Sequence, residues 1–149
     1  MKLNKYILFA LWAGMYVLCA VLGFLPPQEG GNRVLLVVMA LLFFLPPGLL
    51  LYKAWREKDH KVLELLRLIA LVVVIATVVT LVVNLLSVAL ILIMPEKAAL
   101  VFGDILYYLL ILVSNPMICG QAWGIGLMGW VALLWSCIYV LRMLKKEEK

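Results

Sequence analysis

Four polar residues, Thr77, Thr80, Asn84 and Ser87, recur at steps of three, four and three within an otherwise apolar stretch. That spacing sets them on one face of a helix. In lipid such a stripe can bond to a neighbouring helix, each contact worth about 0.6 kcal/mol on average. Alternatively, around Asn84, it can line a polar path for an ion or small solute. A second group follows: Asp104, Asn115, Cys119 and Gln121, uncharged apart from Asp104. If the fold gathers them, they form an outer-face site for a small ligand or a partner. A simpler reading of Asn115-Pro116 is a helix cap followed by a first-turn proline.

Other chemistry lacks its parts. The three cysteines, Cys19, Cys119 and Cys137, contain no C-x-x-C, and His60 stands alone in a charged stretch. A thiol redox centre would need paired cysteines, and Met94 and Met117 form no metal-binding cluster. No metal, cofactor or catalytic group is therefore expected.

The elements that must hold these residues follow from composition. The 149 residues are 67% hydrophobic and 14% charged, more apolar surface than a small soluble core can hide. A helix needs roughly 20 apolar residues to cross a hydrocarbon layer about 30 Å thick. Hydropathy predicts spans over 6–25, 33–52, 68–94 and 117–141, which makes the chain one all-α integral membrane protein, a four-helix transmembrane bundle over residues 1–149. The first run is about 20 residues, longer than the usual h-region of a signal peptide. Leu18 before Cys19 is also a poor lipoprotein cleavage site, so an uncleaved first span is expected.

Charge supplies the orientation. Of 13 Lys and Arg residues, all but Arg33 and Lys97 fall in three clusters: Lys2 and Lys5; Lys53 to Arg67; Arg142 to Lys149. The positive-inside bias then puts both termini, the 53–67 loop and the 142–149 tail in the cytoplasm of a cell-membrane protein. Residues 95–116 become external. A fifth span over 98–113 would leave the basic tail on the wrong side and would bury Asp104, at about 2.5–3.5 kcal/mol. That segment is expected to form a short interfacial or re-entrant helix before the last span.

Breaks and packing signals complete the pattern. Phe24-Leu25-Pro26-Pro27 should end the first span, and the matching Phe44-Leu45-Pro46-Pro47, followed by Gly48, predicts a kink in the second. Val62, Leu65, Leu66 and Ile69 keep helical spacing, so a helix starting near Asp59 should run straight into the third span. Gly120, Gly124, Gly126 and Gly129 offer a close-packing face in the last span, and Ala10 with Gly14 offer one in the first. Those two helices are expected to be neighbours.

The basic clusters lie beside spans and are mixed with Glu57, Asp59 and Glu64. Anionic lipid headgroups are the expected partner, at about 1 kcal/mol per basic residue, and nucleic acid is not. The small-residue faces and the charge-free spans point to a non-enzymatic accessory, regulatory or immunity-type subunit acting by helix contacts in a larger membrane assembly. A transporter or channel-forming homo-oligomer with a path around Asn84 is the alternative.

Overall fold

The computed structural model describes residues 4–24, 33–91, 93, 95–116 and 123–147. Among them every regular element is a helix: α1 (Lys5–Gly23), α2 (Arg33–Arg56), α3 (His60–Ile91), α4 (Glu96–Val113) and α5 (Trp123–Glu147). Four of these, α1, α2, α3 and α5, are long and apolar enough to cross a membrane. The fifth, α4, is the segment whose length and Asp104 argued against a span.

Local chemistry accounts for most boundaries. Asn4 caps α1, its side chain accepting from the Tyr6 amide. Between α2 and α3 the chain turns through Lys58 in the left-handed region, φ 51°. Asp59 then caps α3, with its side chain accepting from the Val62 amide at 3.3 Å. From that cap α3 runs unbroken for 32 residues, the continuous helix anticipated from the spacing of Val62 to Ile69.

At Pro46-Pro47, where a kink is expected, the helix is not interrupted. α2 stays helical through both prolines, which are themselves buried. Packing of both proline rings against protein offsets part of the cost of the lost amide hydrogen bonds. Of the last span expected over 117–141, residues 117–122 lie outside the described residues, and the described part of α5 begins at Trp123.

The core is aromatic. Trp12 of α1, Phe43 of α2 and Trp130 of α5 meet with ring centroids 5.7 to 6.5 Å apart. Around them pack Leu8, Cys19, Leu50, Leu66, Ala70, Leu133 and Cys137, all buried. α3 packs mainly on α5 and α4, and α1 mainly on α2. The expected pairing of α1 with α5 is absent at the backbone level, because the Trp12 and Trp130 rings stand between the two helices. Ala10 and Gly14 are exposed instead, and a Cβ on Gly14 would meet nothing within 4 Å.

Gly129 does provide close approach, but to α2. A Cβ there would lie 2.3 Å from Phe44 Cε2, and Phe44 is held edge-on between Phe43 and Trp130, with centroids at 5.1 and 5.5 Å. The ring therefore has little room to yield.

One ionic clamp ties α1 to the turn between α2 and α3. Lys5 Nζ lies 2.5 Å from Asp59 and 2.7 Å from Glu57. Its hydrogen bonds hold both carboxyls below their ordinary range, and the Val62 amide adds to the effect at Asp59. The clamp is half-buried and still open to solvent, which with salt screens it.

Two outcomes follow. Gly129→Ala should destabilise the detergent-purified protein by about 1–3 kcal/mol through overpacking, whereas Gly14→Ala should not; thermal unfolding of G129A with and without Phe44→Leu measures the clash, which the second change relieves. Because both carboxyl pKa values are depressed in the fold, the clamp stabilises above the ordinary carboxylate pKa of about 4 and is lost as pH falls through the lower, folded values. A pH series of melting curves should show an acid limb that Lys5→Met shrinks and added salt weakens.

Candidate functional site

Four carbonyls at the end of any α-helix lack partners within the helix. At the end of α4 that deficit arises inside the bundle. The Tyr16 hydroxyl that caps it lies about 16 Å along α1 from Lys5, at 1.5 Å per residue. Water is not the natural partner at such a depth.

Side chains from three other helices fill the deficit. The Tyr16 hydroxyl donates to the Leu112 carbonyl, and Thr77 Oγ1 of α3 donates to the Val113 carbonyl at 3.3 Å. Trp130 Nε1 of α5 donates to the Asn115 carbonyl at 2.6 Å. The Ser114 hydroxyl turns back on the Leu110 carbonyl, which also receives the Ser114 amide at 2.9 Å. In return Asn115 Nδ2 donates to the Tyr16 carbonyl at 2.7 Å.

The turn is tightly enclosed. Ser114, Asn115 and Pro116 are buried, and the Asn115-Pro116 peptide is cis. Gly126 lets α5 lie against it, since a Cβ there would come within 3.1 Å of the Ser114 carbonyl oxygen. Two buried polar atoms have no hydrogen-bond partner among the described residues, Asn115 Oδ1 and Trp12 Nε1.

The side-chain Nδ2 of Asn115 crosses to the Tyr16 carbonyl of α1, a contact beyond the cap reading, whose partners at 117–119 lie outside the described residues.

The Thr77–Ser87 stripe reaches α4 at Thr77, and its other hydroxyls bond within α3. Thr77 and Ser87 are buried, and Leu81 packs against Leu110 and Ile111. Thr80 donates to the Ala76 carbonyl at 2.8 Å and Ser87 to the Asn84 carbonyl at 2.7 Å, so both hydroxyls are used within α3. Asn84 is half-buried.

The outer-face group is not assembled among the described residues. Asp104 is exposed on α4, about 16 Å along the chain axis from Asn115, well beyond hydrogen-bond reach of about 3 Å. Cys119, Gly120 and Gln121 lie outside the described residues, and Gly124 meets nothing within 4 Å. No cluster of three or more His, Cys, Asp or Glu that could hold a metal occurs among the described residues.

Tyr16 and Trp130 are the participants that spacing did not reveal. Each is an amphipathic ring in an apolar span whose polar tip requires a partner, and that requirement was the available signal. The hydrogen-bonded set contains no carboxylate, imidazole, amine or thiol, so its chemistry is neutral hydrogen bonding. No family model, curated protein or solved structure matches the chain.

Removing one partner should leave a buried acceptor stranded. Trp130→Phe keeps an aromatic ring but deletes the donor to Asn115, and should cost about 1–3 kcal/mol. Asn115→Leu deletes a separate bond, the Nδ2 donor to the Tyr16 carbonyl, and should cost a similar amount; thermal unfolding in detergent reads both losses, and an unchanged stability of Trp130→Phe would disprove the proposed bond.

Proposed function

We propose that this chain is a non-enzymatic membrane protein that acts by helix contact within a larger assembly. In this reading both termini are cytoplasmic and α4 is a re-entrant helix, entering from the outer face and ending at the Asn115 junction. Its orientation draws support from Lys5, Lys53, Arg56, Lys61, Arg67, Arg142 and Lys145, which belong to helix ends on the same side of the bundle as the Lys5–Asp59 clamp.

The observation that carries the proposal is a mismatch in height. Phe24, at the end of α1, packs on Tyr108 with ring centroids 5.6 Å apart. Residues 96–107 of α4, about 18 Å of helix at 1.5 Å per residue, together with the stretch of α3 beside them, therefore run on past the described end of α1. Apart from Glu96, Lys97 and Asp104, which are exposed on α4, this pair presents a large apolar surface. Leu85 is 75% exposed and Ile93 84% exposed, and Leu86, Val88, Leu100 and Val101 are exposed with them.

Apolar helices that overreach their neighbours must tilt, thicken the bilayer or be covered. Covering by the helices of another membrane protein accommodates the full length of α3 and α4 while α1, α2 and α5 keep an ordinary span. The same stripe that could have served a polar path is occupied by α4 and by backbone carbonyls of α3, which favours contact over conduction.

Photo-crosslinking groups placed at Leu85 or Leu100 and, as a comparison, at Val17 on the exposed face of α1 distinguish the cases. A discrete protein adduct from Leu85 and Leu100, absent from Val17, is expected in native membranes. Lipid adducts alone at all three positions would remove the basis for the proposal.

A further inference from the structure

A second feature lies on the far side of the bundle from α4, and it has no part in the helix contacts just proposed. Between the start of α3 and the end of α5 runs a groove of about 680 Å³. Its α3 wall is His60, Glu64, Arg67 and Leu71; its α5 wall includes Leu134, Ile138, Arg142 and Lys145. On each wall the residues recur at three- and four-residue steps, one continuous helical face.

Polarity changes along both walls in the same direction. Arg67, Arg142 and Lys145 occupy the end toward the basic side of the bundle, and Leu71, Leu134 and Ile138 form the floor further in. The groove is therefore cationic at its mouth and apolar below.

Its charge is also uncompensated. Elsewhere at this end Lys5 and Lys53 are paired with Glu57 and Asp59. Arg67, Arg142 and Lys145 have no ion pair among the described residues, and Glu64 is the only carboxylate in the groove lining. Three cations against one anion leave an excess of positive charge facing an open, partly apolar slot. A partner that completes it must carry concentrated negative charge next to a hydrocarbon chain.

We propose that this groove binds an anionic phospholipid, with its phosphate between Arg67, Arg142 and Lys145 and one acyl chain along Leu71, Leu134 and Ile138. Guanidinium groups suit phosphate oxygens through paired N–H donors. Free phosphate would satisfy the mouth but not the floor, and a zwitterionic lipid would fill the floor without neutralising the mouth. The site differs from diffuse attraction of a basic face to the bilayer because it depends on two facing walls.

The test uses the full-length protein in a neutral detergent, titrated with phosphatidylglycerol and with phosphatidylcholine and read by native mass spectrometry. Competition by inorganic phosphate forms a third arm. Phosphatidylglycerol should bind preferentially, and R67Q/R142Q should weaken it roughly 30-fold, from about 1 kcal/mol per basic residue. R56Q/K61Q, which removes the same charge outside the groove, should change it less than about twofold. Ile138→Trp, which keeps the cations but fills the floor, should weaken phosphatidylglycerol roughly tenfold, a further loss that bare charge attraction would not produce. Equal binding of the two lipids, full displacement by phosphate at the lipid's own concentration, equal losses in the two charge variants, or an unaffected Ile138→Trp protein would each overturn the proposal.

Discussion

A helix that ends in an apolar interior leaves carbonyls which neither lipid nor its own backbone can satisfy, and the organisation around α4 answers that single deficit. Tyr16, Thr77 and Trp130 come from three different helices and each donates to one carbonyl of the 112–115 stretch. Their convergence fixes the depth at which α4 stops. It also fixes the relative height of α1, α3 and α5, since moving any one of them along its axis by a helical turn would strand an acceptor. A few neutral hydrogen bonds, each modest in net energy, thus constrain the register of the bundle because the cost of leaving them unmade is larger than the gain from making them.

Packing beside the junction follows from the same arrangement. Trp130 must face the 112–115 turn to donate, so its ring lies between α1 and α2, where Trp12 and Phe43 meet it. With that volume occupied, α1 and α5 cannot touch at the backbone. The close approaches fall instead at Gly129, against Phe44, and at Gly126, against the Ser114–Pro116 turn. Two glycines in one helix therefore serve two different neighbours, where a uniform small-residue face would serve one.

Much of this was legible in composition and spacing. The four apolar spans, the long helix begun by Asp59 and the exceptional status of 98–113 follow from hydropathy, a capping residue and one misplaced carboxylate. The tertiary partners were not. A stripe at Thr77, Thr80, Asn84 and Ser87 announces a helix face that turns inward, but periodicity carries no information about which helix lies opposite. Asn115-Pro116 reads locally as a cap, and nothing in its spacing announces the bond from its side-chain amide to the Tyr16 carbonyl. Small-residue spacing in α1 and α5 likewise marks a capacity for close approach without naming the partner, and the bulk of Trp12 and Trp130 decided against the obvious pair. The persistence of α2 through Pro46-Pro47 depends on the burial of both rings, which proline alone does not encode.

Charge divides the basic end into two environments with different physical consequences. Lys5 bridges Glu57 and Asp59 and so joins the start of α1 to the turn before α3; its field is spent locally. Arg67, Arg142 and Lys145 lie on the other flank of α3 beside a single carboxylate and an apolar slot. Had all the basic residues merely marked orientation, either environment would have served, because the positive-inside bias counts Lys and Arg and is nearly indifferent to nearby acids. Segregating the acids to one flank leaves the other with an excess positive field above hydrocarbon-compatible walls, at the same end of the molecule. The distribution of Glu57, Asp59 and Glu64, more than that of the cations, therefore determines which surface can hold an anion.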